Sequence, residues 1–183
     1  MGVSDDLAEA AAAAESFAAP DERVEAVLAT EPTAGDRVYL CAFAGPSGRS
    51  WLALGRDGKP VTGRDRVRAA ASIAAMCELA EERAGGGELD ELRRNLVGLR
   101  LTENPPGIDE AEEAALALES AVGAPPRVAT PAYLDRLGAA TRRLERALGD
   151  SRSSPFAVAM QQSLRAVDEL ARDVEEQYKL PLS

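Results

Sequence analysis

The side chains best equipped for chemistry in this sequence are carboxylates. Glu78, Glu81 and Glu82 stand at i, i+3 and i+4, the spacing that brings side chains onto one helix face, and Glu169 and Asp173 repeat an i, i+4 pair. Facing helices with such pairs would hold Mg²⁺ or Mn²⁺ through oxygen ligands alone. Histidine is absent from the sequence. Its absence removes Ser-His-Asp and Cys-His nucleophile pairs, His-based zinc sites and the usual general base near neutral pH. Any hydrolysis would then depend on a divalent ion to activate water. The competing explanation is a solvated acidic helix face, and it carries the greater weight because it needs no ligand at all.

The second group is cationic. The net charge is -10, yet residues 35–68 total +4, leaving -14 for the rest of the chain. Arg49, Arg64 and Arg68 flank predicted turns and a predicted helix start, where free backbone N–H groups also favour anions. They define a candidate site for a small phosphate or carboxylate ligand. Arginines at a hairpin edge also discourage strand pairing and form surface ion pairs, and this simpler role is favoured. The Gly45 to Gly48 loop lacks the GxxxxGK[ST] pattern of a phosphate-binding loop. Cys41 and Cys77 lack CxxC spacing and lie in apolar surroundings, so two buried thiols in a reducing cytoplasm are expected. Trp51, Tyr39 and Phe43 gather much of the scarce aromatic area in one stretch and are expected to face the core.

The acidic pairs resemble the ExxE and ExxD motifs of the all-α nucleoside triphosphate pyrophosphohydrolases. The resemblance covers two short patches, Glu78 to Glu82 and Glu169 to Asp173, rather than the chain. It implies a Mg- or Mn-dependent nucleotide phosphohydrolase as an alternative function.

The elements that must position these groups read as mainly helical. With 183 residues, 45% of them hydrophobic and only 4% aromatic, the chain suits one domain with a core of Ala, Leu and Val. Helices are expected over 1–31, in two pieces. The second begins at Pro20, carries Val24, Val27 and Leu28 on one side, and stops at Pro32. A β-hairpin is expected over 37–61, turning at Gly45-Pro46-Ser47-Gly48 and again at Asp57-Gly58, with a short third strand near Val61. Central helices follow over 63–122, punctuated by Gly85-Gly86-Gly87 and Asn104-Pro105-Pro106. An antiparallel helical hairpin should fill 130–179, with Leu137 and Leu144 against Leu164, Val167 and Ala171. The fold expected is thus a helical bundle of six to seven helices with one β-hairpin, α+β by strict count.

The function expected first is a non-enzymatic binding or protein-interaction module without a cofactor. Its acidity disfavours nucleic acid, and no apolar run approaches the length needed to span a bilayer. The first twenty residues lack a basic start and a leucine-rich stretch, unlike a signal peptide. Because strand 38–44 is apolar on both faces and its hairpin leaves an edge to protect, a homodimer is also expected.

Overall fold

In the computed structural model of the chain, the described residues are 2–85, 87–124, 126–149, 162, 167–169 and 171–182. The side chains of 3, 4 and 76–85 lie outside that description. Contacts divide the chain into two compact units. One comprises residues 1–75, 126–131 and 167–183, and the other residues 76–125 and 132–166.

The first unit is built on a four-stranded mixed sheet in the order β3-β2-β1-β4. Helix α1 (Val3–Glu15) leads into β1 (Arg23–Thr33), β2 (Asp36–Gly45) and β3 (Gly48–Gly55). Strands β1 and β2, and β2 and β3, pair antiparallel, whereas the two-residue β4 (Val128–Ala129) joins β1 in parallel. The architecture is therefore α/β, not a helical bundle with one hairpin.

The overturned element is residues 20–31, expected as helix; from Arg23 onward they form β1. Val24, Val27 and Leu28 have helical spacing, but a register shift between Val24 and Ala26 rephases the strand around Glu25. Val24 opposite Phe43 and Val27 opposite Cys41 then reach the same side of the sheet, and Ala26 and Leu28 the other. Pro32 falls inside β1 at a second register shift, between Thr30 and Thr33, where pairing is already interrupted. Gly35, at φ 81, supplies the left-handed position that turns the chain into β2. Thr30 is fully buried yet satisfied, its hydroxyl donating to the Val38 carbonyl at 3.0 Å.

Both faces of the sheet are covered. On one side Val38, Leu40, Ala42, Trp51 and Ala53 meet Val67, Ala70, Ala71 and Ala74 of α2 (Arg64–Gly85), joined by Ala171 and Val174. On the other, Tyr39, Cys41, Phe43, Leu52 and Leu54 meet Ala10 and Ala14 of α1. Small side chains let α1 and α2 approach closely. The expected exposure of one side of Val38 to Ala44 is thus resolved inside the chain, and Trp51, Tyr39 and Phe43 are core residues.

The outer edge of β3 is covered too. Trp51 N–H donates to the Gln177 carbonyl at 3.1 Å and Lys179 N–H to the Trp51 carbonyl at 3.0 Å; Val61 N–H reaches the Ala53 carbonyl at 2.8 Å. The Tyr178 hydroxyl closes the remaining gap, accepting from Ala53 N–H at 3.1 Å and donating to the Val61 carbonyl at 2.6 Å. The expected third strand near Val61 is reduced to a single bridge between Leu54 and Pro60. These contacts remove the edge argument from which self-association was expected.

The second unit is helical. It holds the end of α2 together with α3 (Glu88–Thr102), α4 (Ile108–Gly123) and α5, which begins at Pro131 and ends at Leu148. Leu92 and Leu96, the Ile108, Ala111, Leu118 and Val122 stripe, and Leu137, Leu144 and Leu148 are buried, as amphipathic periodicity requires. Arg100 pairs with Glu112 at 2.7 Å, and Arg93 with Glu119, which aligns α3 and α4 antiparallel. Asp109, in the first turn of α4, pairs with Arg100, so the helix start is capped elsewhere. That cap is Gly107, at φ 87, where a Cβ would lie 2.7 Å from the Ala147 carbonyl oxygen.

The C-terminal helical hairpin is corrected in part. Leu144 is buried, but Ala171 and Val174 pack on the sheet in the first unit, where an apolar β-face was available. Residues 151–161 and 163–166, including Leu164, lie outside the described residues. Among the described residues no helix is long and apolar enough to cross a membrane.

Candidate functional site

Alternation along β2 puts Arg37, Tyr39, Cys41 and Phe43 on the face beneath α1. Over Cys41 and Phe43 the face is closed by Ala14 of α1, by Phe17 just beyond the helix and by Leu180 near the C-terminus. At the Tyr39 end the sealing side chains run out, because Ala10 presents only a methyl group and the next turn of α1 carries Asp6 and Glu9. The turn after β3 faces the same space. Gly58, at φ 70, lets that turn come under α1, with Ala13 3.5 Å from where a Cβ would stand.

The result is a half-open cavity of about 570 Å³ within the first unit. It is lined by Asp6, Glu9 and Ala10 of α1, Tyr39 of β2, and Gly55, Arg56, Asp57 and Gly58. Asp6 is 3.8 Å from Arg37, which also contacts Glu31 at 3.3 Å. Glu31 accepts the Gly35 N–H at 2.8 Å; that bond first, and then Arg37, hold its carboxyl below the usual range. Asp57 accepts the Lys59 N–H at 3.2 Å, with the ammonium 3.6 Å away. Among the described residues, two largely buried side chains here keep an unmatched polar atom. The Arg37 Nε is buried without a partner. Tyr39 is only 3% exposed, and its hydroxyl has no hydrogen-bond partner among the described residues although the ring lines the cavity. A phenol otherwise so buried normally finds a partner.

The expected anion ligands are not gathered there. Arg49 stands opposite Ala44, pairs with Glu25 at 2.8 Å and lies over the Trp51 ring at 5.4 Å. Arg64 and Arg68 are one turn apart on α2, with Arg68 3.9 Å from Glu175. Arg66, between them, binds Asp36 at 2.8 Å. Asp36 and Ala44 are at opposite ends of β2, about 27 Å apart along an extended strand, so Arg49 is remote from the α2 arginines.

Glu78, Glu81 and Glu82 are on α2 in the second unit, and their carboxylates lie outside the described side chains. Glu169 is exposed, and Asp173 accepts from Gln177 Nε2 at 2.6 Å. Among the described residues no group of three or more His, Cys, Asp or Glu is arranged to hold a metal ion. Cys41 is fully buried, and burial pushes its thiol up to about 12, leaving it protonated and inert at neutral pH. Cys77 lies among the undescribed side chains.

The cavity residues were legible only in other roles. Asp6 reads as a helix-start acid, Asp57-Gly58 as a turn and Tyr39 as core. No local spacing joins residues 6, 39 and 57; only the sheet does. Comparison of the chain with protein-family models, with curated proteins and with solved structures finds no match.

Proposed function

We propose that this chain is a non-enzymatic binding protein whose working site is the cavity between α1 and the turn after β3. The observation that carries the reading is Tyr39, a residue 3% exposed whose hydroxyl has no protein partner among the described residues and whose side chain lines the cavity where the face opens. A bound molecule offering one polar atom would complete it, and small-molecule sites typically combine an apolar wall with a few such groups. The chemistry of covalent catalysis has little support beside it, because the one described thiol is protonated and histidine is absent. No observation favours the Mg- or Mn-dependent phosphohydrolase reading over this one.

A cytoplasmic location belongs to the same proposal, resting on the free Cys41 thiol. A protein partner or second copy would instead use Val97, Leu101 and Leu116, the large hydrophobic side chains left exposed on α3 and α4. Light scattering across a dilution series tests self-association, and a constant mass of 19.2 kDa rejects it. Native mass spectrometry of the full chain, isolated gently from cells, tests the binding reading. A small-molecule adduct that is weakened in Tyr39→Phe supports it. An unliganded chain that also shows no thermal shift with a metabolite mixture rejects it.

A further inference from the structure

We infer that the ligand of this cavity is a small organic amine in its ammonium form, an inference that rests on the binding reading above. The lining opposes the carboxylates of Asp6, Glu9 and Asp57 to the single guanidinium of Arg56. The next cations outward, Arg37 and Lys59, pair with Asp6 and Glu31 and with Asp57, so Asp6 and Asp57 each already hold one cation. Glu9 is exposed and has no ion-pair partner among the described residues, so it is the acceptor most available to an ammonium group. Carboxylates from α1 and from the turn after β3 face the space from two sides, which suits an N–H donor held between them.

Acidity alone would attract any cation. Tyr39 narrows the class, because its unpartnered hydroxyl and ring face call for a polar atom next to a carbon framework. A bare divalent ion fits poorly, since among the described residues no three potential ligands converge. Anions meet the carboxylates first and a chain of net charge -10 behind them.

The test is a titration of the uniformly ¹⁵N-labelled full chain at low salt with spermidine and tyramine, using glutarate and inorganic phosphate as anionic controls. At least one amine should shift the amides of Ala10 and of residues 55–58. Glu9→Gln, an exposed position where folding is not at stake, should weaken that binding by about tenfold, the size of one lost charge-assisted hydrogen bond. Tyr39→Phe should weaken it several-fold. Equal affinity in wild type and Glu9→Gln would overturn the inference, as would no amine-induced shift up to about 10 mM. If an anion shifts the same amides and the amines do not, the ligand class is wrong and the binding reading survives. If no compound shifts them and native mass spectrometry finds no adduct, both fall.

Discussion

The two faces of the sheet are made by the same strands, residue by alternate residue, yet they end differently. Under α2 the face is closed along its length by alanine, valine and leucine side chains. Under α1 it is closed over Cys41 and Phe43 and left open over Tyr39, where the covering helix turns acidic. The contrast separates positions that hold the fold from positions that the fold holds in place for something else. A buried residue on the closed face contributes through contacts, Trp51 included although its Nε1 has no partner, whereas Tyr39 on the open face lines a cavity with a hydroxyl that the protein itself does not use.

The largest effect should come from the closed face. Leu40 is 2% exposed in that core, and Leu40→Ala should cost about 2–5 kcal/mol in urea unfolding, from lost transfer energy and a residual cavity. A loss below about 1 kcal/mol would mean that this face is looser than its burial implies.

Next comes the edge that both faces share. Tyr178→Phe removes the hydroxyl that serves Ala53 N–H and the Val61 carbonyl, leaving a buried donor unmatched, and should cost about 1–3 kcal/mol. Faster exchange of the Ala53 amide would localise the loss. An unchanged exchange rate there would show that the hydroxyl does not close the edge.

A smaller effect should appear as pH dependence at the closed end of the α1 face. Glu22 binds Lys179, accepts the Ala19 N–H at 2.9 Å and accepts the Ser50 hydroxyl at 3.1 Å. The Lys179 bond above all, then the Ala19 N–H, lowers its pKa in the folded state. A carboxyl so depressed stabilises the fold above its unfolded value of 4.5, and the contribution is lost as pH falls through the lower folded value. Thermal midpoints of wild type should therefore fall below about pH 4.5 more steeply than those of Glu22→Gln. Parallel curves would remove Glu22 as a source of acid sensitivity.

The sequence makes some of this plain and hides the rest for physical reasons. The pair β2–β3 is legible because Gly45-Pro46-Ser47-Gly48 is a turn in any context, and α5 because its apolar residues keep a helical period over four turns. Strand β1 is hidden because its bulge at Glu25 converts strand alternation into an apparent i, i+3 spacing. Proline at position 32, normally a helix stop, here occupies an interruption in the ladder that sequence alone does not reveal. The packing of Ala171 and Val174 on the sheet is hidden because their helical spacing fits a helical or a sheet partner equally well, and periodicity does not say which apolar face they cover. Local rules find arginines flanking turns; they do not find carboxylates and a tyrosine that meet only once α1 has packed on β2 and β3.

The measurement that bears most directly on the difference between the faces is a paired one on Tyr39→Phe. Unfolding free energy should stay within about 0.5 kcal/mol of wild type, because the deleted hydroxyl has no protein partner, and the cavity's ligand should bind several-fold more weakly. Destabilisation beyond about 1 kcal/mol with unchanged binding would contradict this and leave Tyr39 with a structural role alone.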